Sequence, residues 1–357
     1  MKIASPALLL GVLCLLAGCA GPGYYAQAVA GHLDLMRKRQ DVASVLADGS
    51  TGPELRRQLL LSGEIRQFAV SRLHLPDNGS YQNFVETGRE AVAWNVVAAP
   101  EFSLEPRRWC FLFAGCVPYR GYFDPADARQ LASKLESQGF DVAVSPALAY
   151  STLGWFRDPL LDTMFHYSDE QLAAVIFHEL AHQQLYVKGD TAFNESYATF
   201  VEEIGTALWL EDSGRAERLP EWRRRQRATT DFVVLLDQAR AELTGVYASA
   251  DAAPEKRRSK AAIFSTLRDR YLASSERGSE GRTGFARWFD ENPNNAGLAL
   301  FDSYRGGTCA FAALYEAAGR DLPRFQALVA ERAALGEAAR RAWLQRPCEA
   351  VAPEPDL

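Results

Sequence analysis

The chain is 357 residues long, and its 48% hydrophobic, 24% charged and 11% aromatic residues supply a core for one large or two modest domains. This composition excludes a disordered chain, a collagen-like repeat and a polytopic membrane protein. With 39 basic against 45 acidic side chains the net charge is −6, which gives no field to attract a polyanion, so no nucleic-acid partner is expected.

Residues 1–18 read as a signal peptide: Lys2, an apolar run from Ala7 to Leu16, then the small residues Ala17 and Gly18 before Cys19. The run is about 10 residues, well short of the roughly 20 that a membrane-spanning helix needs. Leu16-Ala17-Gly18-Cys19 resembles the bacterial lipobox, which implies that Cys19 becomes the lipidated first residue of the mature protein. A plain secreted protein with an incidental cysteine is the alternative. Several acyl chains on Cys19, at about 0.8 kcal/mol per buried CH2, would anchor the protein stably to a membrane. Ala20 after that cysteine, where Asp would retain it elsewhere, implies the outer membrane and a periplasmic face in a cell with two membranes. Residues 19–27 then form a lipidated tether.

Of the six cysteines, Cys14 leaves with the signal and Cys19 carries lipid, so the mature fold keeps Cys110, Cys116, Cys309 and Cys348. Cys110 and Cys116 bracket a short bend closely enough to pair, leaving Cys309 with Cys348, although these cysteines allow other connectivities.

Val29, Leu33, Met36, Val42, Val45 and Leu46 recur at mostly helical spacing. A second helix runs from Pro53 to Leu73 and stops at Leu75-Pro76-Asp77-Asn78-Gly79, so 28–85 is expected to be helical. Strand-like runs at 91–99, 108–114, 117–123 and 140–150, with a helix near 126–138, suggest a small mixed sheet over 86–150. Helical periodicity then covers 169–187, 191–210, 230–247, 255–273, 307–318 and 322–345. The Arg223-Arg224-Arg225-Gln226-Arg227 stretch reads as a solvated helix face, with contact to phospholipid headgroups or peptidoglycan as the alternative.

The stretch that carries chemistry is His178-Glu179-Leu180-Ala181-His182, an H-E-x-x-H inside a helical run. With only five histidines in the chain, a chance match has odds of about 1 in 200. On a helix, residues i and i+4 share a face, so both imidazoles can reach one tetrahedral Zn²⁺, while Glu179 addresses the water rather than the metal. Ser168 and Gln171 form a capping box that starts this helix. A catalytic zinc needs a third protein ligand, and the helix that opens at Asn194-Glu195 after the Lys188-Gly189-Asp190 turn offers Glu195. Glu202, on the same helix face, is the competing ligand. Thr199, one turn after Glu195, and Asn194 are the expected supports for the ligands.

The chain from about residue 24 to 349 resembles a family of bacterial aminopeptidase lipoproteins with an H-E-x-x-H motif, through LPDNGSY (75–81), WCFLFAGCVPYRGYF (109–123), AYSTLGWFRDPLLDT (149–163) and HELAHQQLYVKGDTAFNESYATFVE (178–202). The H-E-x-x-H followed by an N-E-x-x-x-T helix also resembles the gluzincin arrangement. The resemblance implies a zinc-dependent peptidase with one Zn²⁺ per chain, His178, His182 and Glu195 as ligands and Glu179 as the acid/base. The G-x-M-E-N segment with which gluzincin aminopeptidases hold a free amine is missing from the sequence.

The expected fold is therefore α+β and zincin-like: a small mixed sheet packed on the H-E-x-x-H helix, with largely helical flanks. A single domain would span 28–349, with metal-binding helices over 165–212, a helical part over 228–346 and a tail at 350–357. Its substrate would be a peptide, reached from a membrane anchor, and no partner protein is identifiable. Tyr304 and Tyr150 are candidates to stabilise the oxyanion, and the run 142–150 could pair with an extended peptide. Two other classes fit the same residues: a non-catalytic zinc-binding envelope lipoprotein, and a zinc amidase acting on peptidoglycan peptides.

Overall fold

In the computed structural model, which describes residues 21–111, 115–152, 156–275, 285–291, 293–301 and 307–345, the chain is a mostly helical α+β protein with small sheets. Cys19, Tyr304 and Cys348 lie outside the described residues, as do the expected signal peptide and tail. Helix α1 (Pro22–Lys38) opens the chain, so the stretch expected as tether up to residue 27 is helical from Pro22 onward. Proline is tolerated at such a start because its missing N–H would have had no partner there.

After β1 (Gln40–Asp41) and the short α2 (Val42–Ala47), the long α3 (Pro53–Ser71) buries Leu59, Leu61, Ile65 and Ala69. Strands β2 (Asn83–Val85) and β8 (Leu160–Leu161) pair in parallel, with β1 antiparallel on the other edge of β2. This mixed sheet lies outside the range 86–150, because each strand is only two or three residues long and carries no alternation to read.

The sheet expected from the strand-like runs consists of β3 (Ala93–Pro100) between two antiparallel neighbours, β6 (Tyr119–Tyr122) and β7 (Phe140–Ala147). One face, with Val96, Ala98 and Tyr122, packs on Ala128, Ala132 and Leu135 of α4 (Pro125–Glu136). On the other face Val97 packs against Ala296 and Ala299, while Ala93 and Asn95 line a cleft. Between β3 and β6 in the chain a hairpin of β4 (Trp109–Phe111) and β5 (Gly115–Val117) carries a disulfide between Cys110 and Cys116, directly paired residues whose Cα atoms are 3.9 Å apart.

The core centres on α5 (Asp169–Gln184) and the antiparallel α6 (Thr191–Asp212). The Ser168 N–H donates to Gln171 Oε1 at 3.2 Å and so caps α5, while Leu172, Ile176, Phe177 and Leu180 form its buried side. Glu170, 1% exposed, is held by Arg218 at 2.9 Å and by Arg225 at 3.0 Å. The Arg-rich stretch thus spends Arg225, itself partly exposed, on holding the buried carboxylate at the start of α5. Arg225 belongs to α7 (Leu219–Ala248), which with α8 (Ala253–Ser275) forms a helical hairpin around a second cluster of Phe232, Leu236, Leu243, Phe264 and Leu267. Short helices α9 (Ala286–Asp290) and α10 (Asn295–Ala299) follow, then α11 (Gly307–Ala317) against α6. The expected helix at 322–345 is two, α12 (Leu322–Ala333) and α13 (Glu337–Leu344), because the chain leaves helical geometry at Leu335 and Gly336.

Candidate metal centre

Local geometry brings His178 and His182 together, as one turn of α5 separates them and their Nε2 atoms lie 3.1 Å apart. The third donor depends on the turn that returns α6 alongside α5. Gly189 adopts φ +81°, a conformation that favours glycine, and Asp190 caps α6 by accepting the Phe193 N–H at 3.2 Å. Asn194 clasps Val187, its amide donating to the carbonyl and accepting from the N–H, each at 2.8 Å. Asn194 therefore sets where α6 begins, and its neighbour Glu195 faces the imidazoles. Glu195 Oε2 lies 3.4 Å from His178 Nε2, and Oε1 lies 3.6 Å from His182 Nε2.

These separations fit one metal ion. Donors about 2.0–2.1 Å from a tetrahedral zinc stand about 3.3 Å from each other. His178, His182 and Glu195 form the group that could hold a cation, with ligand atoms all within 4.8 Å. Glu202 does something different: its Oε2 accepts from His178 Nδ1 at 3.0 Å. That bond leaves the Nε2 lone pair facing the other donors and raises the basicity of the ring, the task the sequence suggested for Thr199. Thr199 is buried on α6, but the side chain that reaches His178 is two turns beyond Glu195 rather than one. Nδ1 of His182 is buried without a hydrogen-bond partner. Burial disfavours a charged His178, yet its bonds to Glu195 and Glu202 outweigh this and hold its pKa well above the ordinary value. Burial likewise opposes ionisation of Glu195, but both histidines overcome it and hold the carboxyl far below the usual range. The centre is arranged around a positive charge.

The donors open onto a cleft of about 490 Å³, which Glu179 also lines. Its helical wall carries His178, Glu179, His182 and Glu195, with Tyr186 on the turn between the two helices, and its opposite wall carries Asn95, Tyr119, Gly121 and Tyr122. Burial, followed by the charge of Glu195, raises the phenol pKa of both Tyr119 and Tyr186, so each stays protonated as a hydrogen-bond donor. Tyr119, although 40% exposed as a whole residue, also feels Glu179. Tyr150 lines the cleft as well, but its hydroxyl meets His32 Nδ1 at 3.4 Å, and burial pushes its pKa to about 12. Neither Tyr119 nor Tyr186 stands out in the sequence. Tyr186 follows the motif by four residues, a spacing that could have found it, whereas Tyr119 carries no local signal.

Two strands reach the cleft. Asn294 Nδ2 donates to the Val142 carbonyl at 2.9 Å at the start of the 142–150 run, whose end contributes Ala147, Ala149 and Tyr150 to the cleft, and β6 contributes Tyr119, Gly121 and Tyr122.

A polar knot fixes α5 from below. Gln183 donates to buried Asp158 at 2.8 Å and accepts from Asn78 at 2.6 Å and from Ser80 at 3.2 Å. Asp158 further accepts from the Thr152 hydroxyl at 2.7 Å. The stretches 75–81 and 149–163 therefore meet at the residue next to His182, which relates their polar character to the centre.

A family model described as Putative aminopeptidase matches residues 23–344, nearly the whole described chain. No curated protein and no solved structure matches.

Proposed function

We propose that this chain, which belongs to the Putative aminopeptidase family, is a zinc-dependent aminopeptidase on a zincin-like fold, lipid-anchored through Cys19 in the cell envelope. The observation that carries the reading is the convergence of two imidazoles and one carboxylate, 3.1–3.6 Å apart, beside Glu179 in a cleft. Zinc held by His178, His182 and Glu195 would polarise a peptide carbonyl and bring the pKa of a coordinated water to about 7. Glu179 takes the proton from the attacking water and returns it to the leaving amine. Tyr119, with its phenol kept neutral, donates to the oxygen on which charge develops, and Tyr186 can do so from the turn between α5 and α6. Glu202 holds His178 in the required tautomer.

The lipid anchor is supported by the residues around Cys19. Among the described residues, no helix is long and apolar enough to cross a membrane. The reading is tested by measuring zinc content in the chain without residues 1–18 and assaying peptide cleavage beside Glu179→Gln. One zinc per chain with cleavage abolished in the variant is the expected result. Zinc without cleavage of any peptide would favour a binding lipoprotein or a non-peptide amidase.

A further inference from the structure

Six residues of α1, Tyr24, Gln27, Ala28, Gly31, His32 and Leu35, follow the i, i+3, i+4 spacing of a single helix face. That face lies along the outer edge of β6. The Phe123 N–H donates to Gln27 Oε1 at 3.2 Å, and Gln27 Nε2 donates to the Gly121 carbonyl at 3.4 Å. Any strand laid beside β6, parallel or antiparallel, would need those two backbone groups. Tyr24 packs on Phe111 and Tyr122, with the Arg120 guanidinium 4.1 Å above its ring, and with Ala28 it lines the cleft. Gly31 lets the helix come this close, since a Cβ there would fall 2.1 Å from the Phe123 ring. Leu35, 1% exposed, roots the same face in the core, so α1 is a fixed wall rather than a mobile flap.

Strand alternation places the N–H and C=O of Tyr119 on the same outer edge as those of Gly121. Tyr119 is beside the metal centre, whereas the next outward positions, Gly121 and Phe123, are taken by Gln27. An extended peptide therefore finds an open pairing position next to the centre and a closed one immediately beyond.

We propose that α1 determines specificity by blocking the β6 edge, so that the cleft admits the end of a peptide and rejects its interior. The inference rests on the peptidase reading and makes that reading concrete, because the family's aminopeptidase description identifies the excluded side as the amino side. Among the described residues, the carboxylates lining the cleft are Glu179 and Glu195 of the centre itself. Selection of the terminus by obstruction requires no further acid to hold the amine.

The test uses the mature zinc-loaded chain and a peptide series with one scissile bond, extended residue by residue on the amino or the carboxyl side. Binding of the same series to Glu179→Gln is measured in parallel. In the wild-type chain, amino-side extension lowers kcat/KM by about 100-fold and carboxyl-side extension leaves it within a few-fold. Gln27→Ala and Gly31→Leu each raise the ratio of extended to unextended substrate by about tenfold, and Ala28→Trp lowers it. Gln27→Ala and Ala28→Trp keep the test decisive if Gly31→Leu fails to fold. Equal cleavage of interior and terminal bonds by the wild-type chain, or a length profile indifferent to Gln27→Ala and Ala28→Trp, overturns the inference while the peptidase reading stands. Cleavage of no peptide at all removes that reading and this inference with it.

Discussion

The helical wall of the cleft concentrates charge: His178, Glu179, Glu195 and Glu202 all come from α5 and α6, with His182 buried among them. The opposite wall, from β3, β6 and α1, presents tyrosines, Asn95, Gly121 and Ala28, with Gln27 engaging the Gly121 carbonyl and the Phe123 N–H. On the first wall, burial opposes the charge of both His178 and Glu195, and their contact with each other, joined by Glu202 on His178 and by His182 on Glu195, outweighs it. The second wall has no such burden and can be shaped by packing alone. In the proposed reaction the helices hold the metal and the acid/base, Tyr119 adds a donor from the sheet, and selection falls to the sheet edge and α1.

Glu179→Gln should give the largest effect, a loss of hydrolysis of about 10⁴-fold with zinc and fold retained, since only the proton carrier is removed. Undiminished turnover in that variant would show that the helical wall does not carry the reaction in this way. Next, Glu195→Ala should abolish stoichiometric zinc, whereas Glu202→Ala should weaken zinc binding by about 10–100-fold, as loss of a bond to a ligand's second nitrogen does. Metal titration of both variants decides this, and the reverse order would exchange the two carboxylates. Tyr119→Phe comes third: kcat falls by about 10²-fold with little change in KM, which would give the sheet wall a share of the chemistry and blur the division between the two walls.

The smallest effect concerns Glu203, behind the helical wall, whose carboxyl burial, reinforced by the charge of Glu202, pushes its pKa to about 7. Its folded value lies above the unfolded 4.5, so the stability contributed by the neutral acid is fully present below pH 4.5 and is lost as pH rises through about 7. Glu203→Gln should therefore leave Tm unchanged at pH 4 and raise it at pH 8, by at most about 3 kcal/mol of stability. Thermal melts across that range are the measurement, and a pH-independent difference would contradict the shift.

Helix α5 is legible in the sequence because its capping box, apolar stripe and paired histidines are all relations within one or two turns, fixed by helix geometry alone. Glu195 is within reach for a related reason, since a short glycine-bearing turn leaves an antiparallel return as the natural path. Glu202 is recognisable as facing the centre, but choosing between ligand and support requires distances, 3.4 Å from Glu195 to His178 Nε2 against 3.0 Å from Glu202 to Nδ1. The three strands of the mixed sheet are too short to show periodicity.

By itself, the sequence determined a mostly helical chain and an H-E-x-x-H helix followed by an acidic return helix, because these are set by composition and by neighbours a few residues apart. Only the tertiary structure decided which carboxylate supports which histidine, which tyrosines enter the cleft and where the first helix lies. Gln27 and Gly121 are 94 residues apart, and Tyr150 and His32 are 118 apart. Contacts at that range depend on how the whole core packs, and no local pattern records it.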